Sequence, residues 1–208
     1  ITDFDPATGL IEAEAGVSLA EIIAHAAPFG YFLPVTPGTR FVTLGGAIAN
    51  DVHGKNHHVR GTFGCHVESL ELLRSDGVVH HCSSSENSGL FAATIGGMGL
   101  TGLVLSAKLR LMPVGSLDIE ERITAFANLD GYFDLAEAAD AENEYAVAWV
   151  DQLAAGASAG RGVLITGNHA RNGNFKTDDG VARLSVPFDL PFSMLNGLSL
   201  RLFNGAYF

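Results

Sequence analysis

The sequence predicts a mixed α+β fold, and three stretches carry that expectation. Between Gly9 and Val17 the residues Ile11, Ala13 and Ala15 alternate with Glu12 and Glu14, the period of two of a half-exposed strand. Ser18 and Glu21 then form a capping box ahead of the apolar stripe Leu19, Ile22, Ile23 and Ala26, with Gly30 placed to end the helix. Further on, Val67 to Leu73 and Val78 to Cys82 flank Ser75-Asp76-Gly77, an antiparallel hairpin whose Asp-Gly pair supplies positive φ angles. A chain of 208 residues is one large domain, or one domain with part of another, and is long enough to bury a core.

The remaining elements follow in order. Tyr31 to His58 carries loop chemistry around a short apolar helical start at Gly46-Ala47-Ile48-Ala49. Asn87 to Ala107 is uncharged and long enough to cross a bilayer, but Gly89, Gly96, Gly97, Gly99 and Gly102 suit a sharp loop in a buried, soluble segment. Leu103 to Met112 reads as a strand with Leu103, Leu105, Ala107, Leu109 and Leu111 on one face, ending at Pro113. From Asp118 to Asp151 ten acidic residues face the single Arg122, which puts a domain boundary near Ser116 and divides the chain into 1–115 and 116–208. Within the second part, Leu129 to Ala141 is expected to be an amphipathic helix, and Tyr145–Val150 and Gly162–Thr166 antiparallel strands. The final run, Leu200 to Phe208, reads as a strand interrupted before its partner.

Charge and cysteine content exclude whole classes of function. With 12 Lys+Arg against 23 Asp+Glu, the net charge of −11 repels phosphate backbones and argues against nucleic acid as a partner. Cys65 and Cys82 are too few for a disulfide scaffold, match no zinc spacing, and are read as packing residues. The chain opens on Ile1 with no secretory leader, which leans toward the cytoplasm and leaves the compartment open. Its ends suggest a fragment of a longer polypeptide, with exposed apolar surface that favours self-association.

The densest chemical signal is the run from Pro37 to His58. Gly38, Gly45 and Gly46 lack Cβ atoms, so the backbone can approach a ligand and offer N–H donors to an anionic diphosphate, with Thr39, Thr43, Asn50 and Asp51 beside it. The plainer alternative is a turn that needs positive φ. His53, His57 and His58 invite a metal reading, but Gly54-Lys55-Asn56 breaks the helix that would align them and adds a cation. Histidines hydrogen-bonding near a cofactor suit the run better. A second cluster, Gly96-Gly97-Met98-Gly99-Leu100-Thr101-Gly102, is either a helix-to-strand connection or a second wall of backbone donors for an elongated ligand.

Together with Gly61-Thr62-Phe63-Gly64-Cys65-His66-Val67 and Thr94-Ile95, these runs resemble the FAD-binding domain of the vanillyl-alcohol oxidase and p-cresol methylhydroxylase superfamily. The stretch Asp51 to His58 most resembles its decaprenylphosphoryl-ribose 2-oxidase branch. The resemblance implies the second half of a PCMH-type FAD domain over 1–115, then part of an antiparallel-sheet substrate cap over 116–208. It implies non-covalent FAD, with contacts at Gly38, Thr43, Leu44, Gly45, Gly46, Asn50, Asp51, Val52, His53 and Val104. It further implies hydride transfer from a sugar or alcohol CH–OH group to flavin N5, with a separate electron acceptor. The arginine- and glycine-rich pyrophosphate loop of relatives would precede Ile1, and the lysine and tyrosines of their cap would follow Phe208, so no catalytic residue is assigned. A flavin-free interaction module derived from such an oxidase is the competing reading, and the −11 charge disfavours an anionic lipid-linked sugar.

Overall fold

A computed structural model describes residues 1–177 and 196–208, which form two compact units. The first comprises Ile1–Ile119 and His169–Thr177, and the second Glu120–Asn168 with the described residues after 177. The architecture is mixed helix and antiparallel sheet, as the sequence predicts.

In the first unit β1 (Asp3–Asp5) and β2 (Leu10–Glu14) lead into α1 (Leu19–Ala26) and the short β3 (Tyr31–Phe32). The Ser18–Glu21 capping box forms in both directions, and Gly30 adopts φ 81° after a 3-10 turn over Ala27–Phe29. Then come α2 (Leu44–Ala49), α3 (His57–Arg60), the hairpin β4 (Val67–Leu73) and β5 (Val79–Ser83), α4 (Ser88–Thr94), β6 (Leu103–Arg110) and β7 (Met112–Pro113). The five-stranded antiparallel sheet has the order β1-β2-β6-β4-β5, while β3 pairs separately with β7. Leu19, Ile22, Ile23 and Ala26 of α1 and Leu44, Ala47 and Ile48 of α2 pack into one core with Ile11, Leu70, Leu72 and Leu109 of the sheet. Each buried leucine or isoleucine of this set contributes about 1.5–3 kcal/mol. No helix among the described residues is long and apolar enough to cross a membrane.

The single-face reading of Leu103 to Met112 is corrected. Leu109 and Ala107 point inward, but it is Val104 that is buried nearer the start, and Leu103 and Leu105 are exposed. The β4–β6 register shifts between Glu71 and Leu72, and one extra residue exchanges the two faces beyond it. Cys65 is likewise no packing residue. It is exposed beside Gly61, whereas Cys82 lies in the core, its thiol pKa pushed up by burial and then by the Glu71 and Glu86 carboxylates.

In the second unit β8 (Ile119–Phe126) and α5 (Leu129–Glu142) precede β9 (Tyr145–Val150) and β10 (Gly162–His169), and the sheet order is β8-β10-β9. The helix and the strands β9 and β10 lie where the sequence puts them, while β8 has too many charges to read as a strand. The terminal run is a helix, α6 (Gly197–Tyr207), not the strand its leucines suggest. Asn196 opens it with a capping box to Ser199, and helical spacing stacks Phe203 on Tyr207 at 5.7 Å.

Buried Asp151 ties α6 to its own unit. Its carboxylate accepts from Asn204 Nδ2 at 2.5 Å, from the Leu153 amide at 3.0 Å and from Arg161 Nε at 3.1 Å, while Tyr207 lies 4.7 Å from the Trp149 ring. Burial alone would raise this carboxyl's pKa, but the three donors together hold it below its ordinary value. A depressed folded-state pKa stabilises above the unfolded value, and the contribution is lost as pH falls through the folded one. Emission from Trp149, the sole tryptophan, is therefore expected to hold until pH drops below the ordinary aspartate range. Asn204→Ala, which removes one donor, should move that acid transition to higher pH. An unshifted transition would show that the contact does not hold α6.

Candidate functional site

The three glycine-bearing runs meet at the C-terminal end of α2. The Gly96 amide donates to Ile48 O at 3.0 Å and the Met98 amide to Ala49 O at 2.8 Å, so the second glycine loop closes directly on the helix that the first one leads into. Asp51 follows in the left-handed region at φ 42°, and its Oδ1 accepts the Gly64 amide at 2.8 Å. A Cβ on Gly64 would run into the Ile95 side chain, which explains why glycine stands between the two loops. The Phe63 amide donates to Val52 O at 2.9 Å, and His53 bridges Thr62. Sequence patterning carried no signal for Gly64 beyond its family resemblance, because its role depends on contacts more than a dozen residues away.

The expected cradle of amides at Gly45 and Gly46 is not available to a ligand. Thr43 caps α2 through the Gly46 amide at 3.2 Å, and its carbonyl takes the Ala47 amide at 2.9 Å. Leu44 and Gly45 donate to Val17 O and Ala15 O at 2.8 and 2.9 Å. Leu19 and Ala20 at the start of α1 donate in turn to Val42 O and Arg40 O, at 3.0 and 2.8 Å. The two helices thus cap each other's first turns, which meets the orphan-donor problem internally. Helix α2 begins at Leu44, two residues before the expected start, because Thr43 is its N-cap.

Donors remain one turn of chain earlier. The amides of Gly38 and Thr39 bond to no group among the described residues, and a Cβ on Gly38 would meet nothing within 4 Å. Gly38, Thr43, Asn50 and His53 are exposed and Asp51 and Val52 half-buried, so all of them can face a ligand. Leu44 and Val104 are different: their side chains are buried in the core, and only backbone could reach a cofactor there. Following Val52, the loop carries exposed His53, Lys55 and His57, then His58 and Arg60, a locally basic stretch in an acidic chain. His53 and His57 stand 6.0 Å apart ring to ring, and no group of three or more His, Cys, Asp or Glu among the described residues could hold a metal ion.

Residues 1–83 match the family described as the FAD binding domain. The chain is 39% identical over 173 residues to decaprenylphosphoryl-beta-D-ribose oxidase of Mycolicibacterium smegmatis, covering 82% of this chain and 38% of that protein. It is 43% identical over 152 residues to an uncharacterised protein in the mprA 5' region of Streptomyces coelicolor, covering 73% and 40%. Delta(24)-sterol reductase of Rattus norvegicus is 31% identical over 113 residues, covering 54% and 22%. The matched domain and these relatives support a PCMH-type FAD-binding oxidase family, with FAD as the cofactor. It spans about two fifths of the length of the first two of these relatives.

The residues present suit that cofactor. Open amides at Gly38 and Thr39, clear space in front of Gly38 and the basic stretch from His53 to Arg60 are what a nucleotide diphosphate requires.

Proposed function

We propose that the protein is an FAD-dependent oxidoreductase that oxidises a CH–OH group of a sugar or other alcohol, with residues 1–115 holding non-covalent FAD and 116–208 contributing part of a substrate cap. The observation that carries the reading is the convergence of the three glycine-bearing runs on one end of α2 with unspent donors at Gly38 and Thr39. FAD, when bound, supplies the hydride-accepting chemistry at N5. The chain's own part is binding and orientation. Gly38 and Thr39 donate to anionic oxygens, Asn50 and His53 offer exposed polar side chains, and Asp51 fixes the turn that presents them. Val52 and the backbone at Val104 complete the proposed contacts, together with Thr43, Leu44, Gly45 and Gly46, which act by holding α2 in place. The names of two relatives, a ribose oxidase and an L-gulonolactone oxidase from Mus musculus, support the sugar or alcohol substrate class. The electron acceptor is a separate small molecule or protein.

A second reading, a flavin-free interaction module, draws on the fully used amides in the first turn of α2. Gly38→Val separates the two. Its Cβ would meet nothing within 4 Å, so thermal stability should change little while the dissociation constant for FAD rises at least about tenfold, the effect of roughly 1.4 kcal/mol. Flavin fluorescence titration measures the second quantity. Equal FAD affinity in the variant and the parent would remove Gly38 from the site, and no flavin bound by the parent would favour the module.

A further inference from the structure

Asn56 stands in the polar run after α2, and its side chain is directed inward. It is 1% exposed, and its Nδ2 donates to Pro34 O at 2.7 Å across 22 residues of sequence. Its backbone carbonyl also accepts the amides of Val59 and Arg60, at 3.0 and 2.8 Å, which anchors the first turn of α3. Beside it, Gly54 lies so close to the 34–36 segment that a Cβ would stand 2.8 Å from Thr36 O and 3.2 Å from Thr36 N. The extended segment Leu33 to Thr36 is therefore held against the His53–Asn56 loop by one buried amide and one missing side chain. Two residues beyond Thr36 stands Gly38, with its open amide, and two before Asn56 the loop has just left His53.

We propose that Asn56 is a positioning residue for the cofactor site. It sets the spacing between the Gly38–Thr39 donors and the Asp51–His53 turn, and does so without touching the ligand. The inference rests on the FAD-binding reading above. A buried side-chain amide suits this task because a carbonyl facing it has no water to fall back on, so the bond has a defined length and direction. An aliphatic side chain in the same space would fill volume but leave Pro34 O without its donor. Displacement of binding groups by about an ångström is enough to lose most of a preorganised site's benefit.

Asn56→Asp keeps the shape and removes the donor, placing a carboxylate against Pro34 O. Gly54→Ala perturbs the same spacing through Thr36 and through Asn56 Oδ1, which its Cβ would approach to 2.9 Å, while the Asn56 donor itself is kept. For each purified protein, thermal unfolding would be followed without ligand, FAD affinity by flavin fluorescence, and the environment of bound flavin by visible circular dichroism at saturating FAD. Both variants are expected to weaken FAD binding about tenfold or more and to change the visible dichroism of the bound flavin even when saturated, which a mere loss of folded fraction cannot do. Unchanged affinity and dichroism in a folded Asn56→Asp would overturn the proposal. Should Asn56→Asp fail to fold, Gly54→Ala decides alone, and parental affinity and dichroism there overturn it equally. A parent protein that binds no FAD would instead defeat the functional reading itself.

Discussion

Gly45→Val is expected to cost about 3 kcal/mol of stability in urea unfolding and to abolish FAD binding with it. Its Cβ would lie 2.9 Å from Ala15 Cβ and 3.3 Å from Ala15 O, and that oxygen already accepts the Gly45 amide. Neither neighbour can yield cheaply. Ala15 is fixed at the end of β2, where its own amide donates to Leu105 O at 2.8 Å. Relief must come from lifting α2, which would break the Leu44–Val17 bond and draw Leu44, Ala47 and Ile48 out of the core. The carbonyls of Ile48 and Ala49 would move with it, and with them the second glycine loop. Gly38→Val is the internal contrast, equal in added volume but placed in open space. A Gly45→Val protein with the parent's urea midpoint would show that the close approach of α2 to β2 does not constrain the site.

Much of this fold was legible because its signals are local. The Ser18–Glu21 box, the Asp76-Gly77 turn and the alternation of Ile11 and Ala13 each involve residues within a few positions, and each forms as written. The misreadings have a common origin in non-local pairing. Leu103 and Leu105 keep perfect alternation with Ala107 and Leu109, yet the shift opposite Glu71 and Leu72 turns them outward, and nothing in β6 itself announces it. In the last segment, the apolar and aromatic run Leu200 to Phe208 reads like a strand, and the Asn196–Ser199 box that overrides it lies ahead of that run and lacks the Glu or Gln of the usual signature. Within the candidate site, glycine content marked loops that the structure brings together but misassigned which amides are open. Sequence shows where Cβ atoms are missing. It does not show that Ala15 and Val17 already take the amides of Gly45 and Leu44, a fact fixed only when β2, α1 and α2 assemble. Asn56 was hidden for the same reason, since its partner at Pro34 lies on another segment.

Substitutions at Asp51 should rank in stability as parent and Asn together, then Gly, then Ala. Two properties of the position set that order. The carboxylate Oδ1 holds the Gly64 amide at 2.8 Å in a part-buried setting, and loss of such a bond with the donor left behind costs about 1–3 kcal/mol. The backbone is at φ 42°, a region that Asn and Asp tolerate through their short polar side chains, that Gly enters freely, and that costs Ala about 1 kcal/mol. Asp51→Asn keeps both the acceptor and the conformational preference. Asp51→Gly loses the acceptor alone, and Asp51→Ala loses both, for a total of about 3 kcal/mol on adding these two costs. Because Gly96 also packs on Asp51, with its would-be Cβ 3.3 Å from the Asp51 Cβ, the Ala variant is expected to loosen all three runs and release FAD. Thermal melts of the four proteins, read beside their flavin affinities, test the ranking. If Ala proves at least as stable as Gly, the left-handed turn is not held under strain. If Asn falls to the level of Ala, the negative charge and not the acceptor geometry holds the Gly64 loop in place.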